Sequence, residues 1–151
     1  METKIVALAD SDPCIVGVPC GYPPADDQIV LSLILARRAA TPDEFAAMDE
    51  NLHKLPHERS YLTHAAVRNI LGADAAVVAQ LGGWFESLGL RFKLKHAGGR
   101  HAILAGKIKD VERALGIVVE YFEVAGGTRL LSHRGPILLP IAYHPHIKHI
   151  A

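Results

Sequence analysis

Residues 61–94, YLTHAAVRNILGADAAVVAQLGGWFESLGLRFKL, contain an amphipathic helix that passes directly into an alternating strand. On a helix with about 3.6 residues per turn, the large apolar side chains of this stretch share one face: Val77, Val78, Leu81, Trp84, Phe85 and Leu88. Asp74 is placed to cap the first turn, and Gly89 follows the last turn, where a left-handed residue is favoured. The pattern predicts a core-facing helix over residues 74–88.

From Leu90 onward the sequence period changes to two. Leu90, Phe92 and Leu94 point one way, and the basic residues Arg91, Lys93 and Lys95 point the other. Gly98-Gly99 separates this strand from HAILAGKI, which predicts a hairpin. Upstream, residues 28–37 (QIVLSLILAR) are short, apolar and β-branched at their start, which is typical of a buried central strand.

Capping signals place the remaining helices. Thr41-Pro42-Asp43-Glu44 is a typical helix start, and apolar residues then recur at helical spacing up to Pro56: Phe45, Met48, Leu52 and Leu55. Thr63 is placed to cap a short helix that ends near Leu71-Gly72. Another helix is predicted over residues 109–115. It precedes the strand IVVEYFEV, a turn at Gly126-Gly127 and the terminal segment from TRLLS to HRGPILLPIAYHPHIKHIA.

This order of elements predicts an α+β fold. It is the split βαβ order of a ferredoxin-like antiparallel sheet with helices on one face, followed by a C-terminal hairpin and tail. The expected boundaries are an N-terminal lead at 1–27, the ferredoxin-like domain at 28–138 and a tail at 139–151. With 151 residues, of which 50% are hydrophobic, the chain suits one core.

Charge and hydropathy exclude several function classes. Sixteen basic residues balance sixteen acidic ones at a pI near 7.1, so no global field favours nucleic acid or an anionic membrane. No apolar run approaches the roughly 18 residues of a membrane span, and the N-terminus shows no secretory signal. We therefore expect neither nucleic acid nor a membrane as a partner, and the sequence leaves the localisation unknown.

The two cysteines lie in the Pro- and Gly-rich lead, SDPCIVGVPCGYPPADD. Cys14 and Cys20 are either two free thiols or the ends of a short disulfide-closed loop. A metal pair is disfavoured because the spacing C-x5-C without a second pair is not a zinc pattern.

The sheet face opposite the helices is predicted to be partly apolar. In residues 28–37 both alternating sets hold aliphatic side chains, with Leu31, Leu33 and Leu35 against Val30 and Ile34. The hairpin strand likewise sets Ile103 and Ala105 against Ala102, Leu104 and Ile108. An exposed apolar patch usually marks a binding surface. The alternative is that the lead or the tail folds over this face.

The sequence carries no catalytic signature. The G-x-S-x-G, H-E-x-x-H, Walker A and G-x-G-x-x-G patterns are absent, which argues against an enzyme, and no cofactor is implied. A metal site at His144, His146 and His149 is disfavoured by Pro145 in an extended segment. An RNA-binding module that uses the basic hairpin (Arg91, Lys93, Lys95 and Arg100) would need stacking aromatics on the open face, and aromatics make up only 6% of the chain.

The order of short motifs along the chain resembles that of the pro-kumamolisin activation domain, the propeptide of the sedolisin (serine-carboxyl) peptidases. The resemblance covers residues 28–147. One position departs from the family's pattern, because the family usually has an aromatic residue where this chain has Leu71. The resemblance rests on residues and short motifs that follow one another in the family's order: Tyr61-Leu62-Thr63, Leu71-Gly72, Trp84-Phe85, Leu88-Gly89-Leu90, Gly106, the run from Val111 to Gly116 (VERALG), Gly135-Pro136 and Leu139-Pro140.

The resemblance implies a ferredoxin-like intramolecular chaperone and inhibitor that is not itself an enzyme. Such a domain would dock a sheet face on a peptidase catalytic domain, in cis or in trans, and direct its C-terminal segment toward the active-site cleft until acid releases it. A chain that follows the family would be secreted as part of a precursor. The alternative is a stand-alone ferredoxin-like module that binds a protein, a ligand or RNA.

The residues expected to contact the peptidase lie on the sheet, in the strand after the last helix and in the tail. They are Ile103, Glu120, Tyr121, Glu123, Leu139, Pro140, Tyr143, His144 and His146. Acid release also has a charge argument, because nine histidines are neutral in a net charge of zero and would bring it to +9 when protonated. For unperturbed groups this change falls mostly between about pH 7.5 and 5.5.

Overall fold

A computed structural model describes residues 2–151 as antiparallel sheets packed with helices. The strands of the largest sheet are β3 (Gln28–Leu35), β4 (Arg91–Leu94), β5 (His101–Lys107) and β9 (Ile147–Ile150), in the order β4-β5-β3-β9. The helices are α1 (Pro42–His53), α2 (His64–Leu71), α3 (Ala75–Ser87) and α4 (Ile108–Leu115). The predicted α+β class with antiparallel strands is confirmed.

Two smaller sheets complete the architecture. One pairs β1 (Ile5–Ala7) with β8 (Leu138–Pro140), and the other has the order β2 (Val18–Gly21), β6 (Val118–Glu123) and β7 (Arg129–Arg134). The strand after α4, which is β6, therefore lies in the β2-β6-β7 sheet and not in the main sheet. The fourth strand of the main sheet is β9. No helix within residues 2–151 is long and apolar enough to cross a membrane.

The pairing of β3 with β5 sets the register of the main sheet. It runs from Gln28 opposite Lys107 to Ile34 opposite His101. Side chains alternate between the two faces of a strand. One face therefore carries residues that are fully shielded from solvent, which are Leu33, Leu35, Ala102 and Leu104. This face meets the helices and forms the core.

Helix α3 matches its prediction. The Asp74 side chain accepts a hydrogen bond from the Ala76 N–H at 2.8 Å, and Gly89 adopts a positive φ of 84° after the helix. Leu81 and Phe85 are fully buried, and the Phe85 ring stacks on Phe92 of β4 with centroids 5.7 Å apart. Capping thus fixes the two ends of α3, and burial of Leu81 and Phe85 holds its middle against the sheet.

Helix α4 joins the main sheet to the β2-β6-β7 sheet. Its buried residues are Ile108, Val111, Ala114 and Leu115. Glu112 Oε2 accepts the Val119 N–H at 3.0 Å, which anchors β6 to the helix. Gly116 ends the helix with φ at 63°, and a Cβ at this position would lie 3.0 Å from the Leu138 side chain. Both the left-handed backbone and the close approach favour glycine here.

Helices α1 and α2 form where their caps predict but contribute no buried residue. Thr41 and Glu44 make the reciprocal capping box, and the Thr63 side chain accepts the Ala66 N–H at 3.1 Å. Phe45 and Leu52 lie on α1 at helical spacing, yet they are 61% and 66% exposed. The helical period is confirmed, but the apolar face of α1 does not pack into the core.

The structure corrects the prediction of an extended tail, because residues 139–151 fold into the domain. In β8, Leu139 is fully buried and lies opposite Val6, and Pro140 lies opposite Ile5. In β9, Ile147 and Ile150 are buried at 2% and 6% exposure and pair with β3. The apolar residues of this segment alternate in register with core positions, so burial outweighs the entropy of a free tail.

The predicted N-terminal lead also takes part in the fold. Leu8 is buried, and the buried Ser11 hydroxyl donates to the Leu8 carbonyl at 2.6 Å and accepts the Ile137 N–H at 2.8 Å. These bonds hold the lead against the segment before β8.

We predict that Leu139→Ala lowers the free energy of unfolding by about 2–5 kcal/mol, because it opens a cavity in the core. Ile141→Ala is the matched control, since Ile141 is 47% exposed and its truncation is expected to cost about 0.5 kcal/mol or less. Urea unfolding followed by circular dichroism measures both. Equal midpoints for the two variants would contradict the folded position of this segment.

Candidate docking site

The face of the main sheet that turns away from the helices is the candidate site, and we name it the open sheet face. The register assigns it residues from all four strands and from the position after β4: Gln28, Val30, Ser32, Ile34, Arg91, Lys93, Lys95, His101, Ile103, Ala105, Lys107 and His149. Val30 is 67% exposed, and Arg91, Lys93 and His149 are exposed. Neither the lead nor the tail seals this face.

The centre of the open sheet face is apolar and one side is basic. Ile103 lies between Lys93 on β4 and Ser32 on β3, and Ala105 lies between Arg91 and Val30. None of the residues assigned to the face carries a carboxylate. A positive side next to an apolar centre complements a partner surface that has an acidic patch next to an apolar contact.

One row of the open sheet face holds two histidines. Ile34 lies opposite His101 of β5 on one side and opposite His149 of β9 on the other. The Lys95 N–H donates to the His101 carbonyl at 2.8 Å, so Lys95 ends the same row. His101 Nε2 also lies 2.9 Å from the Ser32 hydroxyl. The two imidazoles therefore flank Ile34 on the open sheet face.

An ion-pair cluster lies at the end of the face near Lys107. Asp26 Oδ1 is 2.7 Å from Lys109 Nζ and 3.3 Å from Lys107 Nζ. Hydrogen bonds from Lys109 and then from Lys107 hold the pKa of Asp26 below its usual value. These groups are solvent-exposed, so the cluster orients Lys107 more than it stabilises the fold.

Of the nine predicted contact residues, Ile103 lies on the open sheet face, where it is half-buried. Tyr121 and Glu123 lie on β6 in the other sheet, half-buried and exposed respectively. These two residues lie away from the open sheet face.

The structure corrects the prediction that Glu120 contacts the peptidase, because Glu120 is only 3% exposed and faces a partner within the domain. Arg134 Nε and Nη2 both donate to its carboxylate, the second at 3.1 Å. The hydrogen bond to Glu120 raises the pKa of Arg134 above its usual value. A buried carboxylate with this bidentate partner is a structural ion pair and is not free to bind a peptidase.

The predicted tail residues have structural contacts of their own. Leu139 is fully buried, and Tyr143 stacks on Trp84 with ring centroids 4.5 Å apart. His144 Nε2 lies 3.1 Å from the Ala7 carbonyl, and the His146 carbonyl accepts the Ala36 N–H at 2.8 Å. Pro140 is half-buried at the end of β8. These contacts hold residues 139–146 in the domain.

A second apolar surface lies on the segment from α1 to α2. Its most exposed large side chains are Phe45, Leu52, Leu55, Tyr61 and Leu62, each at least 50% exposed. The segment is held by polar contacts: Arg38 donates to both Glu44 carboxylate oxygens at 3.2 and 2.6 Å, and the Arg38 N–H donates to the Gly72 carbonyl at 2.8 Å. Charge, rather than apolar burial, fixes α1.

Metal chemistry has no visible site in the part of the chain that the structure describes. No group of three or more His, Cys, Asp or Glu side chains within residues 2–151 could hold a metal ion. Of the two alternatives for Cys14 and Cys20, the structure has the free thiols and not the disulfide.

An antiparallel sheet that is backed by helices on one face and open to solvent on the other defines the class of the protein as an α+β domain. Residues 20–151 match the pro-kumamolisin activation domain, and the chain belongs to this family. Activation domains of this family are propeptide segments and not catalytic domains.

The chain is also similar to kumamolisin from Bacillus sp. (strain MN-32). The two are 27% identical over 124 residues, which cover 82% of this chain and 22% of kumamolisin. The chain thus spans about a fifth of the length of this relative. The matched family region includes β8 and β9, in agreement with their place in the fold.

We predict that acid loosens α1. Hydrogen bonds from Arg38 and from the Thr41 backbone lower the pKa of Glu44 from its ordinary value of 4.5. A carboxylate with a lowered pKa stabilises the folded state above its unfolded pKa, and this contribution is lost as the pH falls through the folded value. Amide protection factors in α1 are therefore expected to fall below about pH 4.5 and to fall at neutral pH in Glu44→Gln.

The matched control is Glu50→Gln on the same helix. The Glu50 side chain is 76% exposed and lies 4.0 Å from Lys54, so its removal should leave α1 protection unchanged. Equal protection in the two variants at neutral pH would show that Glu44 does not fix the helix.

Proposed function

We propose that the chain is the activation domain of a sedolisin-type serine-carboxyl peptidase, acting as its intramolecular chaperone and inhibitor. The family match over residues 20–151 carries this proposal. The open sheet face supports it, because an apolar centre left uncovered by its own chain is the chemistry of a docking surface.

The peptidase surface that fits this face has an acidic patch next to an apolar contact. Ile103, Ala105 and Val30 supply the apolar centre, and Arg91 and Lys93 supply the positive side. Charge complementarity of this kind sets orientation and association rate, and the apolar centre supplies most of the affinity. A carboxylate-rich surface on the peptidase domain would therefore hold the activation domain at neutral pH.

Acid would weaken such a complex by removing the negative charge of the partner surface. Unperturbed carboxylates titrate near pH 4, so the charge that faces Arg91 and Lys93 is lost as the pH falls through that range. The electrostatic attraction that holds the neutral-pH complex is thus lost, which favours release of the peptidase.

The alternative of a stand-alone RNA-binding module gains no support from the same face. Single-stranded RNA is bound by stacking on aromatic side chains. None of the residues assigned to the open sheet face is Phe, Tyr or Trp. The basic residues of β4 therefore suit a protein surface better than nucleobases.

We expect the domain to inhibit an acid-active sedolisin-type peptidase at neutral pH and to lose inhibition near pH 4. Lys93→Glu places a negative charge beside Ile103 and should raise the inhibition constant about tenfold, which corresponds to about 1.4 kcal/mol. Arg129→Glu is the control: Arg129 is an exposed residue of β7, away from the open sheet face, and its reversal should leave the constant unchanged. Progress curves at several domain concentrations measure slow-binding inhibition.

Two outcomes would overturn the proposal at different points. Absence of inhibition by the unmodified domain, together with no gain in refolding yield of the denatured peptidase, would remove the activation-domain function. Inhibition that is equally weakened by Lys93→Glu and Arg129→Glu would keep the function and reject the open sheet face as the docking surface.

A further inference from the structure

The outer edge of β4 has no strand beside it. The main sheet has the order β4-β5-β3-β9, so β4 pairs with β5 on one side alone. On its other side, no strand within residues 2–151 lies along Arg91–Leu94. An edge strand presents backbone N–H and C=O groups on which another strand can form.

The backbones of Phe92 and Leu94 are directed at this outer edge. In an antiparallel ladder, residues that exchange hydrogen bonds with one neighbour alternate with residues that turn to the other side. The Lys95 N–H donates to the His101 carbonyl of β5 at 2.8 Å, and the same register turns Lys93 toward β5. The N–H and C=O groups of Phe92 and Leu94 therefore turn outward. None of these groups has a backbone partner in a turn or loop of residues 2–151.

A groove of about 750 Å³ lies beside this edge, between β4 and α3. Phe92 and Leu94 are half-buried along it. Glycine destabilises the interior of a helix, but Gly82 and Gly83 leave the helix wall of the groove without side chains at two positions. A Cβ at Gly83 would meet no other atom within 4 Å, so the groove has room for the side chains of another chain. The residues that line it from α3 are Val78, Ala79, Gly82, Gly83 and Glu86.

The other face of β4 is basic. Arg91, Lys93 and Lys95 alternate with Phe92 and Leu94, so they point to the open sheet face, and all three are exposed. A strand that pairs with β4 would place its own alternate side chains directly beside these three cations. Opposite charges in such positions stabilise a pair of strands, and like charges destabilise it. The charge of β4 therefore favours carboxylates at these positions of the added strand.

We propose that the outer edge of β4 and its groove, together named the edge groove, bind an extended acidic segment of a partner protein. The segment pairs antiparallel with β4, because in that direction Phe92 and Leu94 each exchange two hydrogen bonds with it. Its residues opposite Phe92 and Leu94 are apolar and turn into the groove, and its residues opposite the three cations are Asp or Glu. Glu86 lines the groove on the helix side, where the segment is apolar, so it does not face these carboxylates.

An acidic segment fits the edge groove better than the other occupants do. A second copy that pairs through the same edge would set Lys93 opposite the Lys93 of that copy, and Arg91 opposite its Lys95, which repel each other. A small apolar molecule would fill the groove but shut the outward N–H and C=O groups off from water without replacing those hydrogen bonds. A peptide backbone satisfies these groups, and its alternate side chains fit both faces of β4.

The probe is a fluorescein-labelled peptide, glutamate-valine-glutamate-valine-glutamate, whose valines lie opposite Leu94 and Phe92. Binding to the 151-residue chain is followed by fluorescence anisotropy. N-methylation of the first valine removes the N–H that would bond to the Leu94 carbonyl and should weaken binding about tenfold. N-methylation of the central glutamate, whose N–H points away from β4, is the matched control and should leave binding nearly unchanged. Hydrogen exchange at the Phe92 and Leu94 amides should slow when the unmodified peptide is bound.

Two variants of the protein test the groove and the charge separately. Gly83→Gln fills the groove with a side chain that helices accept and should weaken binding about tenfold. Ala76→Gln is the matched control, because Ala76 is an exposed residue of the same helix that does not line the groove. Lys93→Glu should weaken binding of the peptide and strengthen binding of the same peptide with lysine at its centre. Unfolding midpoints confirm that the variants are folded.

Each contrary result overturns the proposal. No anisotropy change, or equal losses for Gly83→Gln and Ala76→Gln, would place no peptide in the edge groove. Equal effects of the two N-methyl groups, with displacement of the peptide by oligothymidylate, would make the basic face of β4 a general site for polyanions. A dimer by sedimentation, with protected Phe92 and Leu94 amides in the absence of peptide, would assign the edge to a second copy of the chain. These measurements need no peptidase, so their outcome is independent of the inhibition assay.

Discussion

The structure depends on the antiparallel register between β3 and β5. Because side chains alternate, this register places Leu33 and Leu104 in the core and leaves Val30 and Ile103 on the open sheet face. A slip by one residue would exchange the two sets, exposing leucines and burying polar residues such as His101. The core and the open sheet face are therefore two consequences of one pairing.

Local signals predicted the helices well. The caps at Thr41, Thr63 and Asp74 all accept hydrogen bonds from the first turn of their helices, and Gly116 ends α4 in the left-handed conformation. Such signals act within a few residues and do not require knowledge of the rest of the fold. The apolar period of α1 is equally local, but it indicates only which side of the helix is apolar, and nothing in the sequence states whether the core reaches it.

The errors concern contacts between distant residues. The pairing of Ser32 with Ala151 joins opposite parts of the chain, and no local pattern near Ala151 announces a partner. The family resemblance and the two prolines at 139–151 favoured an extended tail, but the apolar residues of this segment pack into the core beside β1 and β3. Glu120 was expected to contact the peptidase, but its partner Arg134 lies across the β6-β7 hairpin, which no local pattern at Glu120 indicates.

The candidate site was predicted only where alternation alone defines it. Ile103 was found because its strand alternates cleanly, whereas the row of His101, Ile34 and His149 exists only because β9 lies beside β3. This dependence has a physical consequence for folding. Pairing between strands that are far apart in the sequence carries a loop-closure cost that local contacts do not, so we expect it to form late. The open sheet face is thus complete only when β9 has paired with β3, so a partner that recognises it binds the finished domain and not its intermediates.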